Sequence, residues 1–265
     1  MRRRLGTGEG SGTVQSIARA LTLLEALGDS RGDVGIADLS KRVGLHVSTT
    51  HRILGTLIER GYARQNPETG RYALGAKALR LADSYLGQLD LRRAARPVLE
   101  RLSRETGETT NLVILDGREA LYLDKAEGHQ TLRIFSRIGH RAPLYCTAVG
   151  KVLLAFRPRE EADALVGRGP LEALTRSTIT SPSQLRRELD KIRDQGFALD
   201  KEECEEETCC IAVPIHNARG GVEAALSISA PAVRLTPRRM EELIPLMIRT
   251  GQEISVQEGF GGTLG

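Results

Sequence analysis

Ser48, Thr49, His51 and Arg52 fall within a few residues of one another, and their side chains are of the kinds that hydrogen-bond the base edges and phosphates of a DNA duplex. An arginine can grip O6 and N7 of one guanine with two donors; serine and threonine serve either a base or a phosphate. His51 lies at the edge of an apolar face, where packing or a phosphate contact competes with base reading. Further along, Arg64 and Arg71 flank the turn-forming run Asn66-Pro67-Glu68-Thr69-Gly70, which would carry them to a neighbouring phosphate or minor groove.

A second group has different chemistry. Cys146-Thr147-Ala148-Val149-Gly150 reads as a loop opening a helix, where unpaired backbone N–H groups make a ready anion site and the Thr147 hydroxyl adds a partner. Residues 200–210 hold six acids and three cysteines. Thiolates with a carboxylate are zinc-like ligands, so Cys146, Asp200, Cys204 and Cys210 form a candidate metal set. Against this, the spacing contains no C-x2-C pair, and the adjacent Cys209 and Cys210 would point to opposite faces of a strand. The leading expectation is no metal or other cofactor. A solvated acidic loop, a glutamate that orients a pocket and a thiol sensor are the other readings of this stretch.

Both groups need elements to hold them. Residues 36–43 have apolar Ile36, Leu39 and Val43 at helical spacing, and Gly44 breaks the pattern. A second helix is predicted over 47–60. Val47, Thr50, Leu54, Leu57 and Ile58 share one face of it, and Ser48, Thr49, Arg52, Thr56 and Glu59 share the other. Two helices joined by a short glycine-containing turn, then a hairpin around Pro67 and Gly70, give the order of a winged helix-turn-helix. An amphipathic helix over 14–27, with Val14, Ile17, Leu21, Leu24 and Leu27 inward, would pack behind it. Residues 75–89 read as a linker helix. The rest, 90–257, reads as a second domain: a helix over 91–105 with a kink or second start at Pro97, and strands at 110–115, 119–125 and 130–138. Helices follow at 147–155, 160–166 and 183–195, the last capped by Ser183. Strands at 197–199, 210–215 and 222–229 and a closing helix over 236–256 complete the pattern. Residues 1–13 read as a disordered arm and 258–265 as a tail. The fold class is α+β, with a mixed, mostly antiparallel sheet flanked by helices.

Charge separates the same two parts. Residues 1–80 hold thirteen Lys and Arg against seven Asp and Glu, whereas residues 81–265 hold 25 against 27. A basic head on a near-neutral body fits phosphate neutralisation by the head alone. No apolar run approaches the roughly 18–20 residues of a membrane helix, so no membrane partner is expected. The basic start is not followed by the apolar stretch of a signal peptide, which leaves a reduced, cytoplasmic compartment as the expected location, without disulfides. With no tryptophan and few aromatics, stacking on single strands is disfavoured. An enzyme with a basic appendage is the competing class. The motifs G-x-G-x-x-G, G-x-x-x-x-G-K-[ST], G-x-S-x-G and H-E-x-x-H are absent, and none of the histidines pairs in sequence with a nucleophile and base.

Several runs resemble the IclR-type bacterial transcriptional regulators: Gln15-Ser16-Ile17 with Arg19-Ala20-Leu21 and Leu23-Leu24; Gly44-Leu45, Ser48-Thr49 and His51-Arg52; and Tyr72-x-Leu74-Gly75. In the body, the similar runs are Gly139, Pro143-Leu144-x-Cys146-Thr147-Ala148-x-Gly150-Lys151, then Gly196-x-Ala198-x-Asp200-x-Glu202-Glu203, then Ile211-Ala212-Val213-Pro214-Ile215. The resemblance spans residues 14–257. It implies a winged helix-turn-helix on a GAF-like domain that binds a small, usually acidic, metabolite and so modulates affinity for a double-stranded operator. It also implies a homodimer through the heads, or a homotetramer. By that analogy Cys146, Thr147, Ala148, Gly150, Asp200, Cys210, Ala212, Ser227 and Ser229 face one effector cavity. A ligand-binding enzyme, or a metal or thiol sensor with a DNA-binding head, stays as the alternative.

Overall fold

The computed structural model describes residues 14–30, 32–86, 90–167 and 169–261, which divide into two compact units, 1–88 and 89–265. The expected arm at 1–13, the end of the linker helix at 87–89 and residues 262–265 of the tail lie outside the described residues. No helix among those described is long and apolar enough to cross a membrane.

In the first unit α1 (Gln15–Gly28), α2 (Ile36–Val43) and α3 (Val47–Glu59) precede the hairpin β1 (Ala63–Gln65) and β2 (Tyr72–Leu74), and α4 (Ala76–Leu86) closes it. Gly44 ends α2 in the left-handed conformation, φ 65°, which a side chain would resist. Leu23, Leu27, Leu39, Leu54 and Leu57 meet Val34, Ala63 and Tyr72 in one core. Each leucine buried there contributes about 1.5–3 kcal/mol. Val34 and Tyr72 exchange two backbone hydrogen bonds of 2.8 Å, so the hairpin is a third strand-like contact with the segment before α2. Gly75 is required at the exit: a Cβ there would lie 2.3 Å from the Gly61 carbonyl oxygen. The expected inward face of α1 is half right. Leu27 is buried and Leu24 partly so, but Leu23 takes the central place while Val14, Ile17 and Leu21 are exposed. Val47, the first residue of α3, is exposed as well.

The second unit is a six-stranded sheet between helices. In chain order it runs α5 (Asp90–Thr106), β3 (Thr109–Asp116), β4 (Glu119–Ala126), β5 (Arg141–Ala142), α6 (Ala148–Ala155), α7 (Arg159–Val166) and α8 (Pro182–Gln195). Then come β6 (Ala198–Lys201), β7 (Thr208–His216), β8 (Val222–Pro231) and α9 (Pro237–Gln257). The strand order is β5-β4-β3-β8-β7-β6, and every pairing is antiparallel. Helices α6 and α8 pack on one face, α5 and α9 on the other. β7 outruns its edge neighbour: β6 pairs only with residues 209–212, and beyond them the His216 N–H donates to Ser255 Oγ of α9 at 2.9 Å.

Three expectations are corrected. Residues 130–138 form no strand; the backbone there is met by side chains, with Thr109 Oγ1 donating to the Ile134 carbonyl at 3.0 Å and Lys125 Nζ to that of Ser136 at 2.6 Å. Of the kink or second start expected at Pro97, the second start is absent: α5 runs through Pro97 as one helix. The cap of α8 is Ser181, not Ser183, because Pro182 at the first helical position fixes the start two residues earlier.

Gly150 brings α6 onto the preceding loop, since a Cβ would lie 2.4 Å from the Leu144 carbonyl oxygen. One turn of α6 carries Lys151, fully buried, whose Nζ reaches Glu203 Oε1 at 2.5 Å; Glu203 Oε2 is buried without a partner. Losing one member of such a pair strands a buried charge, which typically costs about 3–5 kcal/mol. Lys151→Met should lower the urea-unfolding free energy by about that amount, and adding Glu203→Leu should recover most of it. Additive losses in the double variant would show that the pair is not coupled.

Candidate functional site

Ser48, His51 and Arg52 are exposed on α3 and Thr49 is half-buried. His51 is exposed beside the apolar face, three residues before the buried Leu54. His46 caps α3: its Nδ1 lies 2.9 Å from Ser48 Oγ and 3.5 Å from the Ser48 N–H. This fixes the Ser48 hydroxyl at the helix start. Among the described residues the Arg52 guanidinium has no ion pair, so its donors are open to a partner. The wing arginines are engaged. Arg64 Nη2 bonds Asp33 Oδ1 at 3.0 Å, Arg71 Nη1 bonds the Asp33 carbonyl at 3.3 Å, and Asn66 Nδ2 bonds Asp33 Oδ2 at 3.2 Å. Asp33 and His46 escaped the sequence reading; an acid in a loop and a histidine before a helix give no signal until the wing folds back.

In the second unit a cavity of about 110 Å³ opens at the N-terminus of α6. Thr147 caps the helix: its Oγ1 accepts from the Gly150 N–H at 3.1 Å and donates to the Pro143 carbonyl at 2.8 Å. Ala148 and Val149, whose N–H groups have no acceptor among the described residues, line the cavity with Thr147. Opposite them stand Asp200, Cys210, Ser227 and Ser229, all four expected there. Cys146, Gly150 and Ala212 do not line it. Cys146 is buried behind Thr147, Gly150 serves helix packing, and Ala212 is in the core.

Residues not foreseen complete the walls: Tyr122, Ile134, Phe135, His140, Cys204 and Glu205 among them. Asn111, fully buried, organises the polar side. Its Nδ2 donates to Ser227 Oγ at 3.2 Å and Ser229 Oγ at 3.3 Å, while its Oδ1 accepts from Ser136 Oγ at 2.6 Å. Cys210 Sγ donates to Ser229 Oγ at 3.2 Å. A lone asparagine in a strand carries no such signal in sequence. Among the described residues no Lys or Arg lines the cavity, and the α6 N–H groups supply positive potential there.

The metal set is not assembled. Among the described residues no three His, Cys, Asp or Glu side chains converge as ligands, and Cys146, Asp200, Cys204 and Cys210 are no exception. All four cysteines are free thiols.

Comparison with known proteins places these parts together elsewhere. The profile of the IclR helix-turn-helix domain matches residues 16–67, and that of the bacterial transcriptional regulator IclR C-terminal region matches 83–256. The chain is 40% identical over 248 residues to the HTH-type transcriptional regulator KdgR of Escherichia coli (strain K12), covering 94% of each. It is similar in fold to the crystal structure of the Thermotoga maritima IclR (TM-score 0.78, 33% identity, 94% of this chain and 100% of that one). It is also similar to an IclR homologue from Microbacterium hydrocarbonoxydans complexed with 4-hydroxybenzoate (TM-score 0.79, 28% identity, 92% of this chain and 98% of that one).

Burial raises the Asp200 carboxyl to about 7, with the Glu203 charge adding to the rise; the Glu203 N–H at 2.8 Å, Lys151 and the Cys204 N–H oppose it. An acid raised on folding is stabilised in its protonated form. Its contribution is fully present below about pH 4 and is lost as pH rises through about 7. Asp200→Asn stays neutral and keeps the acceptor oxygen. The variant should therefore gain unfolding free energy relative to wild type between about pH 5 and about pH 8. A difference that is flat across this range would mean that Asp200 does not titrate there in the folded domain.

Proposed function

The chain belongs to the IclR family of bacterial transcriptional regulators, DNA-binding proteins with a C-terminal effector-binding domain, and from that premise we propose that its effector is a small carboxylate held at the start of α6. The observation that carries this reading is the pair of unshared N–H groups of Ala148 and Val149 at the mouth of a helix N-terminus, inside a cavity lined by hydroxyls. Asp200, with its raised pKa, supplies a proton donor to the same space and is compatible with an anion when protonated. The Microbacterium homologue, similar in fold, is complexed with 4-hydroxybenzoate, which is a small carboxylate.

On the head, Ser48, Thr49, His51 and Arg52 read the operator and Arg64 and Arg71 lie along its backbone. Arg52 carries the base contact, since its guanidinium is unclaimed by the protein. The exposed Ile17, Leu21 and Leu81 border an apolar groove of about 620 Å³ with Leu24, Ile53 and Leu57, and Thr49 and Arg52 line it on the α3 side. A second copy of the chain covers its apolar α1 and α4 side, leaving Thr49 and Arg52 to the operator, because a patch so apolar beside a DNA-reading helix suits a two-fold operator. Such a dimer works in the cytoplasm, where the operator is.

The effector acts only if it binds one arrangement of the dimer better than the other, on an ordinary scale of about 5–150-fold in operator affinity. Arg52→Ala should cost about 1–3 kcal/mol of operator binding and relax the preference at one base in each half-site, measured by competition with point-substituted operators. Unchanged discrimination would remove Arg52 from base reading. For the pocket, a thermal-shift screen of small aliphatic and aromatic acids identifies the ligand, since saturation at about 100 times Kd adds about 2.7 kcal/mol of stability. Ala148→Leu should abolish that shift and leave operator binding intact but unresponsive. A ligand shift that survives the leucine would place the effector elsewhere.

A further inference from the structure

A second cavity, of about 140 Å³, lies where β6 ends and β7 runs on, and it shares no residue with the cavity at the start of α6. Phe156 just past α6, Val213 and His216 of β7, the last turn of α8 and Ile248 of α9 form its walls. His216 is 4% exposed, and its ring is held between two phenylalanines: edge-on to Phe156 with centroids 5.7 Å apart, and stacked on Phe260 at 5.0 Å. Its Nδ1 is buried with no hydrogen-bond partner among the described residues. A buried ring nitrogen left in that state is unfavourable, and the cavity is the space beside the ring that a donor can occupy. Neither the operator-reading face nor the cavity at α6 uses this histidine.

The charge around the second cavity suits a cation. α8 ends there: Gly196 takes φ 77°, and the carbonyls of Arg193, Asp194 and Gln195 have no donor among the described residues. Such carbonyls are the negative end of the helix dipole. The Asp194 side chain is exposed at the rim and makes no ion pair among the described residues. Arg193 borders the cavity too, but its donors are engaged: Nε with the Ala155 carbonyl at 2.7 Å, Nη1 with Asp190 Oδ1 at 3.2 Å and Nη2 with the Arg157 carbonyl at 3.5 Å. Burial holds the His216 imidazole below its ordinary pKa, so at neutral pH the ring is uncharged and offers a lone pair. The rest of the lining, with Phe156, Val213 and Ile248, is apolar.

We propose that this cavity is a second ligand site, and that its ligand is a small primary ammonium compound with a short apolar body. The ammonium donates to the His216 ring and to the free carbonyls at the end of α8, beside the Asp194 carboxylate. The body lies against Phe156, Val213 and Ile248. An anion of the same size meets a negative helix end and a lone pair, and is refused. A neutral alcohol brings one donor where the ammonium brings three, and no charge. The site does not rest on the effector reading, which concerns another cavity and the opposite charge.

The test uses the full-length protein, isotopically labelled with nitrogen, and n-butylammonium chloride as the probe. Sodium butyrate and n-butanol at the same concentrations are the comparisons, with ionic strength held constant. Long-range proton–nitrogen spectra report the two ring nitrogens of each histidine, and the His216 signals are assigned by their loss in His216→Phe. The expected result is a saturable shift of the His216 nitrogens with n-butylammonium alone, with a rise in melting temperature over the same range. His216→Phe should abolish that rise. Asp194→Asn, at an exposed position that the fold does not need, should weaken the apparent affinity by about two- to fivefold. Overturning results are His216 nitrogens that do not move, an equal response to butyrate or butanol, or an affinity unchanged by Asp194→Asn. Operator and acid ligands enter none of these readouts, so their failure leaves the effector reading standing, and a failed screen of acids leaves the amine site standing.

Discussion

The buried pair of Lys151 and Glu203 is the constraint on which the second unit depends. A lysine in the middle of a helix that is otherwise wholly apolar is tolerable only if a carboxylate comes to meet it. That requirement fixes where the turn after β6 must lie, and the turn brings Cys204 and Glu205 to the pocket beside Asp200 at the end of β6. The pocket is therefore a by-product of charge compensation: the segment that neutralises α6 also supplies the wall facing its N-terminus. A hydrophobic residue at 151 would pack as well or better, but nothing would then oblige the turn to stand where it does.

Asp33 has a comparable role in the head. It receives Arg64 and Asn66 on its carboxylate and Arg71 on its carbonyl, and so clamps both strands of the wing to the loop before α2. Arg64 is paired with the Asp33 carboxylate, which weakens its claim on phosphate, whereas Arg71 gives only one donor to a neutral carbonyl. Arg52, free of such ties, is the better candidate for a contact that distinguishes sequences.

Local signals were legible in the sequence, and long-range ones were not. Gly44 marked the end of α2, Asn66 to Gly70 marked the wing, and Thr147 marked the start of α6, because each acts on its own backbone. Six of the residues expected in the pocket line the cavity: Thr147 and Ala148 at the start of α6, and Asp200, Cys210, Ser227 and Ser229, expected from alternation along the strands and from family likeness. Apart from the α8 cap at Ser181 and the His46 cap of α3, which are local, the failures involve partners distant in the chain. Residues 130–138 alternate like a strand, yet Thr109 and Lys125 satisfy that backbone from elsewhere and leave Ile134, Phe135 and Ser136 to wall the cavity. Asn111 organises serines more than a hundred residues away. Val14, Ile17 and Leu21 follow helical spacing, but spacing does not say which of several apolar faces the rest of the unit will cover.

The overhang of β7 past β6 has a consequence for solubility. An uncovered run of backbone donors and acceptors on a long strand is a template on which other chains can pair. Here the overhang spans Val213 to His216. Pro214 offers no N–H at all, and the His216 N–H is already given to Ser255. At the other margin of the sheet β5 is only two residues long, too short to recruit a stranger. The overhang is thus closed to edge-to-edge growth by means that leave the sheet's interior, and the cavity beside it, untouched.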